Sequence, residues 1–333
     1  MKRFSVCFYV LLFLCIQLNL SCSKFLGATE TNSKKCSVKI LDWNLETFFD
    51  GIFDGDEYKE FSQASYGWTM EKYDARLSRL AEVIKSVDAD IVVMQELEKK
   101  EQLYDIFNRV CSNFDFSKNY KYACFCRENG SSIGCAVISR FPFTGVKVHS
   151  MDIRTQKKSQ PAMRPLMELT VHVKDRNFLL LVNHWKSKSG GAEQSEVWRD
   201  YQERILAQRF CRALEKKQSV LACGDFNRNI TEFKYVNSYD GKTNIELRGA
   251  KNVLVYSPWF DECGNLFGSG SYWFKFNWER IDHFFAGADT ELFDFKVENK
   301  GSWATSDGRP IRYYMKQGAG YSDHFPLSCS LRF

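Results

Sequence analysis

Leu221-Ala-Cys-Gly-Asp-Phe-Asn-Arg228 is an apolar run that breaks at a glycine and hands over two polar side chains. Ser219 to Cys223 reads as a buried strand, Gly224 stops it, and Asp225 and Asn227 follow in a turn. Strand side chains alternate faces, so residues two apart can point the same way. A carboxylate and an amide side by side make a poor core, because buried polar groups need partners. They suit a site that positions a water and a divalent cation. The competing reading is an Asx-rich turn that merely caps the strand.

Composition sets the outer bounds. The 333 residues are 44% hydrophobic and 26% charged, the balance of a soluble globular chain. Phe occurs 28 times and aromatics reach 15%, which favours a sheet-rich core. A net charge of +5 admits a polyanionic substrate and excludes a histone-like binder.

The N-terminus reads as a targeting segment. Lys2 and Arg3 precede an apolar run from Phe4 to Leu20, followed by Ser21-Cys22-Ser23. That order describes a secretory signal, and the run is short for a permanent membrane span. Cys22 sits where a bacterial lipoprotein signal places its acylated cysteine, and Leu18-Asn-Leu-Ser-Cys22 resembles the looser lipoprotein boxes. Simple secretion and an uncleaved anchor are the other readings. Residues 23–35 are small and polar, as in a tether. The expected organisation is a signal over 1–22, a tether over 23–35 and one catalytic domain over 36–333. The expected product is an exported bacterial monomer, secreted or held at the cell envelope, touching a membrane only through its lipid.

The twelve Cys show no zinc-site spacing. Cys135, Cys223 and Cys329 lie in apolar runs and read as small core residues. Export would permit disulfides among Cys36, Cys111, Cys124, Cys126, Cys211 and Cys263, with connectivity unreadable from sequence.

Val38 to Trp43 alternates as a strand. Residues 47–70 read as a loop with a helical turn. Tyr73 to Val87 carries a helical stripe at Leu77, Leu80, Ala81, Ile84 and Val87. Ile91 to Met94 is a buried strand, and Glu98 to Cys111 again reads as helix. Strands are expected over 121–127, 133–139, 144–149, 165–173 and 178–182, then a long helix over 193–214. After the central strand, the segment beyond Asn229 resists assignment. Strands return over 280–285, 293–297 and 325–333. Without repeats or a Pro/Gly linker, this order makes one α/β domain of two packed sheets flanked by helices.

The polar groups fall at strand ends. Asn44 and Glu46 follow the first strand and Glu96 the second. Asn183 and His184 follow Leu179-Leu-Leu-Val182, Asp225 and Asn227 the central strand, and Asp323 and His324 precede the last. Asp282 is embedded in Ile281-Asp-His-Phe-Phe285. Convergence would give oxygen ligands for a hard cation such as Mg²⁺ or Mn²⁺, with Ca²⁺ also admitted. Two imidazoles would serve phosphate contact or proton transfer. Alternatively, Asp282 is a satisfied buried carboxylate. His283 faces away from it, His149 and His172 read as structural, and Glu98 and Glu101 as helix-start charges.

These stretches resemble the endonuclease/exonuclease/phosphatase family. The matches are Asp42-Trp-Asn-Leu-Glu46, Met94-Gln-Glu96, Gly134-Cys-Ala-Val-Ile-Ser-Arg140, Val182-Asn-His184, Gly224-Asp-Phe-Asn227, Arg280-Ile-Asp-His283 and Ser322-Asp-His-Phe-Pro326, in family order. The resemblance implies a four-layer α/β sandwich and metal-assisted phosphoester hydrolysis. Glu96 resembles the principal metal-ligating glutamate, and Asn44 and Asp323 resemble residues completing the metal site. Glu46 stands where some members hold metal with a shorter Asp. Asp225 resembles the residue that orients or deprotonates water, and Asn227 one that holds phosphate or a second metal. His324 resembles the phosphate-binding histidine, with Asp282 fixing its ring. His184 matches a candidate acid for the leaving oxygen. Asn183 is adjacent to it where many relatives have a spacer, so Asn183 is expected to face away.

Asn183-His-Trp-Lys-Ser-Lys188 resembles a segment of secreted bacterial nucleases. Lys186 and Lys188 would flank the site and meet a phosphate backbone, with Arg164 reaching in from a strand start. Arg154, Lys157 and Lys158 lie in a surface loop. Ser271-Tyr-Trp-Phe-Lys-Phe-Asn-Trp278 and Arg312-Tyr-Tyr-Met-Lys316 mix aromatics with bases, as substrate contacts do; core packing is their other reading. A nuclease acting on DNA or RNA is the first expectation. A sphingomyelinase or phospholipase-C-like enzyme or a phosphoinositide phosphatase is the second, although His184-Trp-Lys stands where that branch has an "HLQ" segment. A metal-free binding module on the same fold is the third.

Overall fold

The computed structural model describes residues 36–112, 115, 118–153, 160–237 and 243–333. The expected signal, tether and lipidated Cys22, and the loop cations Arg154, Lys157 and Lys158, lie outside these residues. The chain runs through β1 (Ser37–Phe48), α1 (Met70–Val87), β2 (Ile91–Leu97), α2 (Gln102–Cys111), β3 (Tyr122–Cys126) and β4 (Gly134–Ser139). It continues through β5 (Phe143–His149), β6 (Leu166–Val173), β7 (Arg176–His184), α3 (Ala192–Glu215), β8 (Val220–Asp225), β9 (Lys234–Asn237) and β10 (Thr243–Leu247). β11 (Val253–Tyr256), β12 (Tyr272–Phe274), β13 (Asn277–Glu279), β14 (Asp282–Ala286), β15 (Glu291–Val297) and β16 (Leu327–Arg332) complete it.

Two large mixed sheets form the middle of a four-layer sandwich. One has the order β15-β16-β1-β2-β4-β3, the other β5-β6-β7-β8-β14-β11-β10-β9. β1 and β2 are parallel, as are β7 and β8, while β14 and β16 run back antiparallel beside β8 and β1.

Sequence alternation explains the layers. Along β1 and β2, Val38, Ile40, Ile91 and Val93 pack inward against the second sheet. Leu41, Trp43, Val92 and Met94 face the other way, onto Leu77, Leu80 and Ile84 of α1. The second sheet buries its far face under α3, through Trp198, Leu206 and Phe210. Each such aliphatic or aromatic side chain gains about 1.5–3 kcal/mol by leaving water, so a polar residue in the same row needs another reason to be there.

Polar residues do continue those rows. After Val38 and Ile40 the inward positions of β1 are Asp42 and Asn44; after Ile91 and Val93 that of β2 is Gln95. In the second sheet, Val182 pairs with Cys223 and Cys223 with Phe284, and one step on His184 pairs with Asp225 and Asp225 with Asp282. The inner layer therefore changes from apolar to polar at one end of the sandwich.

Several local expectations are corrected. The second helix starts at Gln102, not Glu98, because the Gln102 side chain folds back to accept the N–H groups of Glu98 and Lys99 at 2.9 and 3.2 Å. Glu98 is therefore no helix-start charge but a buried carboxylate accepting the Asp50 N–H at 2.8 Å. The unassigned segment after Asn229 contains β9, β10 and β11. Every described cysteine is a free thiol, so the disulfides that export would permit do not form among them. No described helix is long and apolar enough to cross a membrane.

Candidate active site

The polar end of the inner layer gathers most of the singled-out side chains. Asn44 sits between the sheets and donates from Nδ2 to Glu96 Oε1 at 3.2 Å and to Asp225 Oδ2 at 2.9 Å. Its oxygen accepts the Glu46 N–H at 3.0 Å. Two carboxylate acceptors fix this amide orientation, since the reverse would face oxygen to oxygen. Asn44 thus ties two carboxylates together, while its oxygen accepts one backbone N–H.

Glu46 is engaged on both oxygens. Its Oε1 accepts Arg312 Nε at 2.5 Å, and its Oε2 accepts the N–H groups of Tyr313 at 2.9 Å and Asp323 at 3.0 Å. Both oxygens are committed to the segment carrying Asp323. Burial, then the Asp323 charge, pushes this carboxyl up to about 7, against the pull of Arg312. It staples the loop that carries Asp323.

Glu96 stays partly open. Its Oε2 accepts the Thr47 N–H at 2.6 Å, and His184 Nε2 stands 3.7 Å from Oε1. Four non-glycine residues around this corner, Glu46, Thr47, Glu96 and Asn227, have positive φ. Such backbone costs on the order of 1 kcal/mol or more per residue and persists where its surroundings impose it. Here it turns side chains out of the strand ends into a common space.

Asp225 and Asn227 do converge. Asp225 accepts the Asn227 N–H at 2.7 Å and its side-chain amide at 2.9 Å, and the second amide hydrogen goes to the Trp185 carbonyl at 3.2 Å. With both amide hydrogens spent, Asn227 orients Asp225 and has none left for a phosphate. Burial, then the charge of Asp282, raises the Asp225 carboxyl to about 7.

Asp282 and His324 form a buried dyad. His324 Nδ1 lies 2.9 Å from Asp282 Oδ2, which also accepts Ser271 Oγ at 2.5 Å. Asp282 Oδ1 has no hydrogen-bond partner. Burial by itself would lower the imidazole, but Asp282, Asp323 and Asp225 outweigh it and hold His324 well above an ordinary histidine. Nε2 is 3.8 Å from Asp323 Oδ1. One ligand atom each from Asp225, Asp282 and His324 lies within 4.8 Å of the others. A charged imidazole already bonded to Asp282 is no metal ligand, so we read this trio as a proton-holding unit.

His184 is the opposite case. It is buried, its Nδ1 has no partner, and Nε2 stands 3.8 Å from Asp225 Oδ2. Burial, then the Arg164, His324 and Lys186 charges, pushes its pKa well below the usual value. That lowering disfavours the protonated ring that an acid for the leaving oxygen would use. Asn183 faces away, bonded to the Leu181 carbonyl at 3.0 Å and the Trp185 indole at 3.1 Å.

The cations divide. Arg164 bonds the Tyr58 hydroxyl, and its charge reaches His184. Lys186 is half-buried on Ser187, 3.1 Å from its carbonyl and its hydroxyl. Lys188 is paired with Glu232 at 3.0 Å and Glu279 at 3.4 Å, so most of its charge is answered within the protein. Arg312, which sequence reasoning placed only within an aromatic segment, stands half-exposed 3.9 Å from Asp323. Also missed was Asp42, a buried carboxyl that accepts Gln95 Nε2 at 2.8 Å. Burial and then the Asp282 charge push its carboxyl well above the usual carboxylate range. Its inward place in the β1 row, after Val38 and Ile40, was the available signal.

Comparison with known proteins agrees with this architecture. A sequence profile described as "Endonuclease/Exonuclease/phosphatase family" matches residues 39–332. No curated protein sequence matches the chain. Truncated TDP2 from Caenorhabditis elegans is similar in structure at TM-score 0.56 and 15% identity, covering 89% of this chain and 97% of that one. A mannosyl-6-phosphatase from Bacteroides thetaiotaomicron superposes at TM-score 0.55 and 17% identity, covering 89% and 100%. The human Nocturnin catalytic domain, with bound sulfate, gives TM-score 0.53 and 16% identity, covering 92% and 99%. With the profile spanning nearly the whole sandwich, this chain belongs to the endonuclease/exonuclease/phosphatase family.

Proposed function

We propose that this protein is an exported, divalent-metal-dependent phosphodiesterase, and that it cleaves DNA or RNA. The observation that carries the reading is the His324–Asp282 dyad, a buried positive imidazole beside Asp225, whose carboxyl is held near neutrality. Both are raised, so a protonated imidazole stands beside a carboxyl able to take up a proton near pH 7, the pairing that acid and base work needs.

The donor set fits a hard cation. Glu96 and Asp323 present carboxylates at the mouth, and oxygen donors of this kind suit Mg²⁺ or Mn²⁺. The Asp323 carboxylate lies 3.8 Å from His324 Nε2 and 3.9 Å from the Arg312 guanidinium. Glu96 and Asp323 would hold the ion, which when bound neutralises phosphate charge and stabilises the leaving oxygen. The chain's own groups do the rest. Asp225 accepts the proton of an attacking water while Asn44 and Asn227 keep its carboxylate aimed. His324 donates from Nε2 to a phosphate oxygen, with Asp282 fixing its tautomer and holding its charge. Arg164 and Arg312 supply positive charge on either side of the site.

The signal-like N-terminus supports export, with Cys22 as the lipidation point of an envelope-held form. A lipid phosphodiester is the second reading, favoured by the exposed rings of Phe274 and Phe276. The deciding experiment offers purified protein plasmid DNA, structured RNA, sphingomyelin, a phosphoinositide and mannose 6-phosphate, each with Mg²⁺, Mn²⁺ or chelator. Metal-dependent loss of nucleic acid that vanishes in His324→Ala is the expected result. Turnover of lipid or sugar phosphate alone would overturn the substrate assignment.

A further inference from the structure

The two-stranded sheet of β12 and β13 stands beside the site and belongs to neither large sheet. Tyr272 pairs with Glu279 and Phe274 with Asn277, while Trp273 pairs with Trp278. Period-two alternation splits these side chains between two faces. Trp273 and Trp278 pack on each other at 5.2 Å, and Trp278 stacks on Phe325 at 5.9 Å, which anchors that face to the fold. The other face carries Tyr272 and Phe274.

That second face points along the site. Tyr272 bridges to His324 through the backbone, and its ring lies 4.5 Å from the imidazole with an interplanar angle of 31°. The Phe274 ring follows 5.9 Å further on, at 16° to Tyr272. Three rings thus follow one another from His324 along the hairpin, tilted by 31° and then by 16°. Beyond them the turn residues Lys275 and Phe276 have φ of +47° and +68°, a conformation unfavourable for a bulky side chain. Phe276 is 87% exposed and Phe274 42% exposed, while Lys275 Nζ hovers 5.2 Å over the Phe274 ring. Large rings left in water on a strained turn are not explained by folding.

We infer that the hairpin Tyr272–Glu279 is a base-stacking arm, which continues the ring row from His324 with the nucleobases of a single-stranded nucleic acid whose phosphate lies at the dyad. This deepens, and rests on, the phosphodiesterase reading. Flat π faces are what parallel rings accept, every nucleobase has one, and an interleaved lysine answers the strand's phosphates. A membrane would be met by an apolar tip alone and gains nothing from a ring row running back to the histidine. The arm therefore supplies affinity without reading sequence.

The test compares a twelve-nucleotide single strand with an abasic strand of the same length, as DNA and as RNA. Fluorescence anisotropy in chelator reads binding, and product formation with Mg²⁺ reads cleavage. The arm predicts about tenfold or more tighter binding of the base-bearing strand, with that ratio collapsing toward one in Phe274→Ala and Phe276→Ala and retained in Phe276→Tyr. Preferential binding of the base-bearing strand without cleavage would uphold the arm while sinking the nuclease reading. Cleavage of both strands with equal affinity, or a ratio untouched by Phe274→Ala, would overturn the arm and leave the nuclease reading standing. Loss of binding to sphingomyelin or anionic phospholipid vesicles in the Phe variants, with no base preference in the parent, would assign the tip to membrane contact and overturn it as well.

Discussion

Glu46 carries three hydrogen bonds into the segment that presents Asp323, and its substitution separates holding a loop from holding a metal. Glu46→Ala leaves the Tyr313 and Asp323 N–H groups and the Arg312 guanidinium without their acceptor. The expected loss is about 2–4 kcal/mol of stability, read as a lower denaturation midpoint. Residual activity should saturate at an unchanged Mg²⁺ concentration. A stable variant with weakened Mg²⁺ dependence would restore Glu46 to the ligand set. The sequence alone shows none of these bonds. A carboxylate two residues past Asn44 looks like a second ligand, and only the return of residues 312–323, some 266 positions on, spends its lone pairs. The His184 motif likewise carries no sign of the burial and the Arg164 charge that lower its pKa.

Gly224 decides how β7 and β8 meet. Its φ is +137°, and a Cβ placed there would lie 1.9 Å from the Asn183 carbonyl oxygen. Because Asn183 is backbone paired in the centre of a sheet, it has no room to give. Gly224→Ala is expected to cost about 3 kcal/mol or more and to misplace both His184 and Asp225, so that melting temperature and activity fall together. Retention of both would show that this close approach does not set the site. Elements with strong periodicity, α1, α3 and the strands of the inner layer, were readable from sequence because their apolar rows are long. β9, β10 and β11 were not, since short strands at a sheet edge carry few buried positions and mix polar residues with apolar ones. The hairpin of β12 and β13 was visible only as a cluster of aromatics, split between packing and exposure by a register that composition does not reveal.

The sandwich as a whole stores repulsion at one end. Asp225 and Glu46 have folded pKa values of about 7, far above those of free carboxylates at about 4. A raised acid pKa means the folded state binds more protons, so the stability it contributes is present below about pH 4 and lost as pH rises through 7. His324, also raised, adds loss in the same direction. His184 and His283, both lowered, oppose this only near pH 6.5, where the unfolded imidazoles are still partly protonated. In chelator, the melting temperature should therefore fall between pH 6.5 and 8, less steeply in Asp225→Asn. Mg²⁺ should stabilise more at pH 8 than at pH 6.5, because an ion bound among carboxylates offsets their charge. A melting temperature that rises over this window would refute the electrostatic account. The architecture itself was legible early, because the polar strand ends recur in family order; what sequence left unresolved was which oxygens remain free.

Glu96 is the partly open carboxylate at the centre of that account, and the most direct test is its metal dependence. Hydrolysis of a single-stranded oligonucleotide would be followed across a Mg²⁺ titration for the parent protein and for Glu96→Gln, with circular dichroism confirming that both are folded. The account predicts activity in the parent that chelator abolishes, and in Glu96→Gln a loss of about a hundredfold or more, partly recovered at high Mg²⁺. Cleavage that persists in chelator, or a Glu96→Gln variant indistinguishable from the parent, would contradict it.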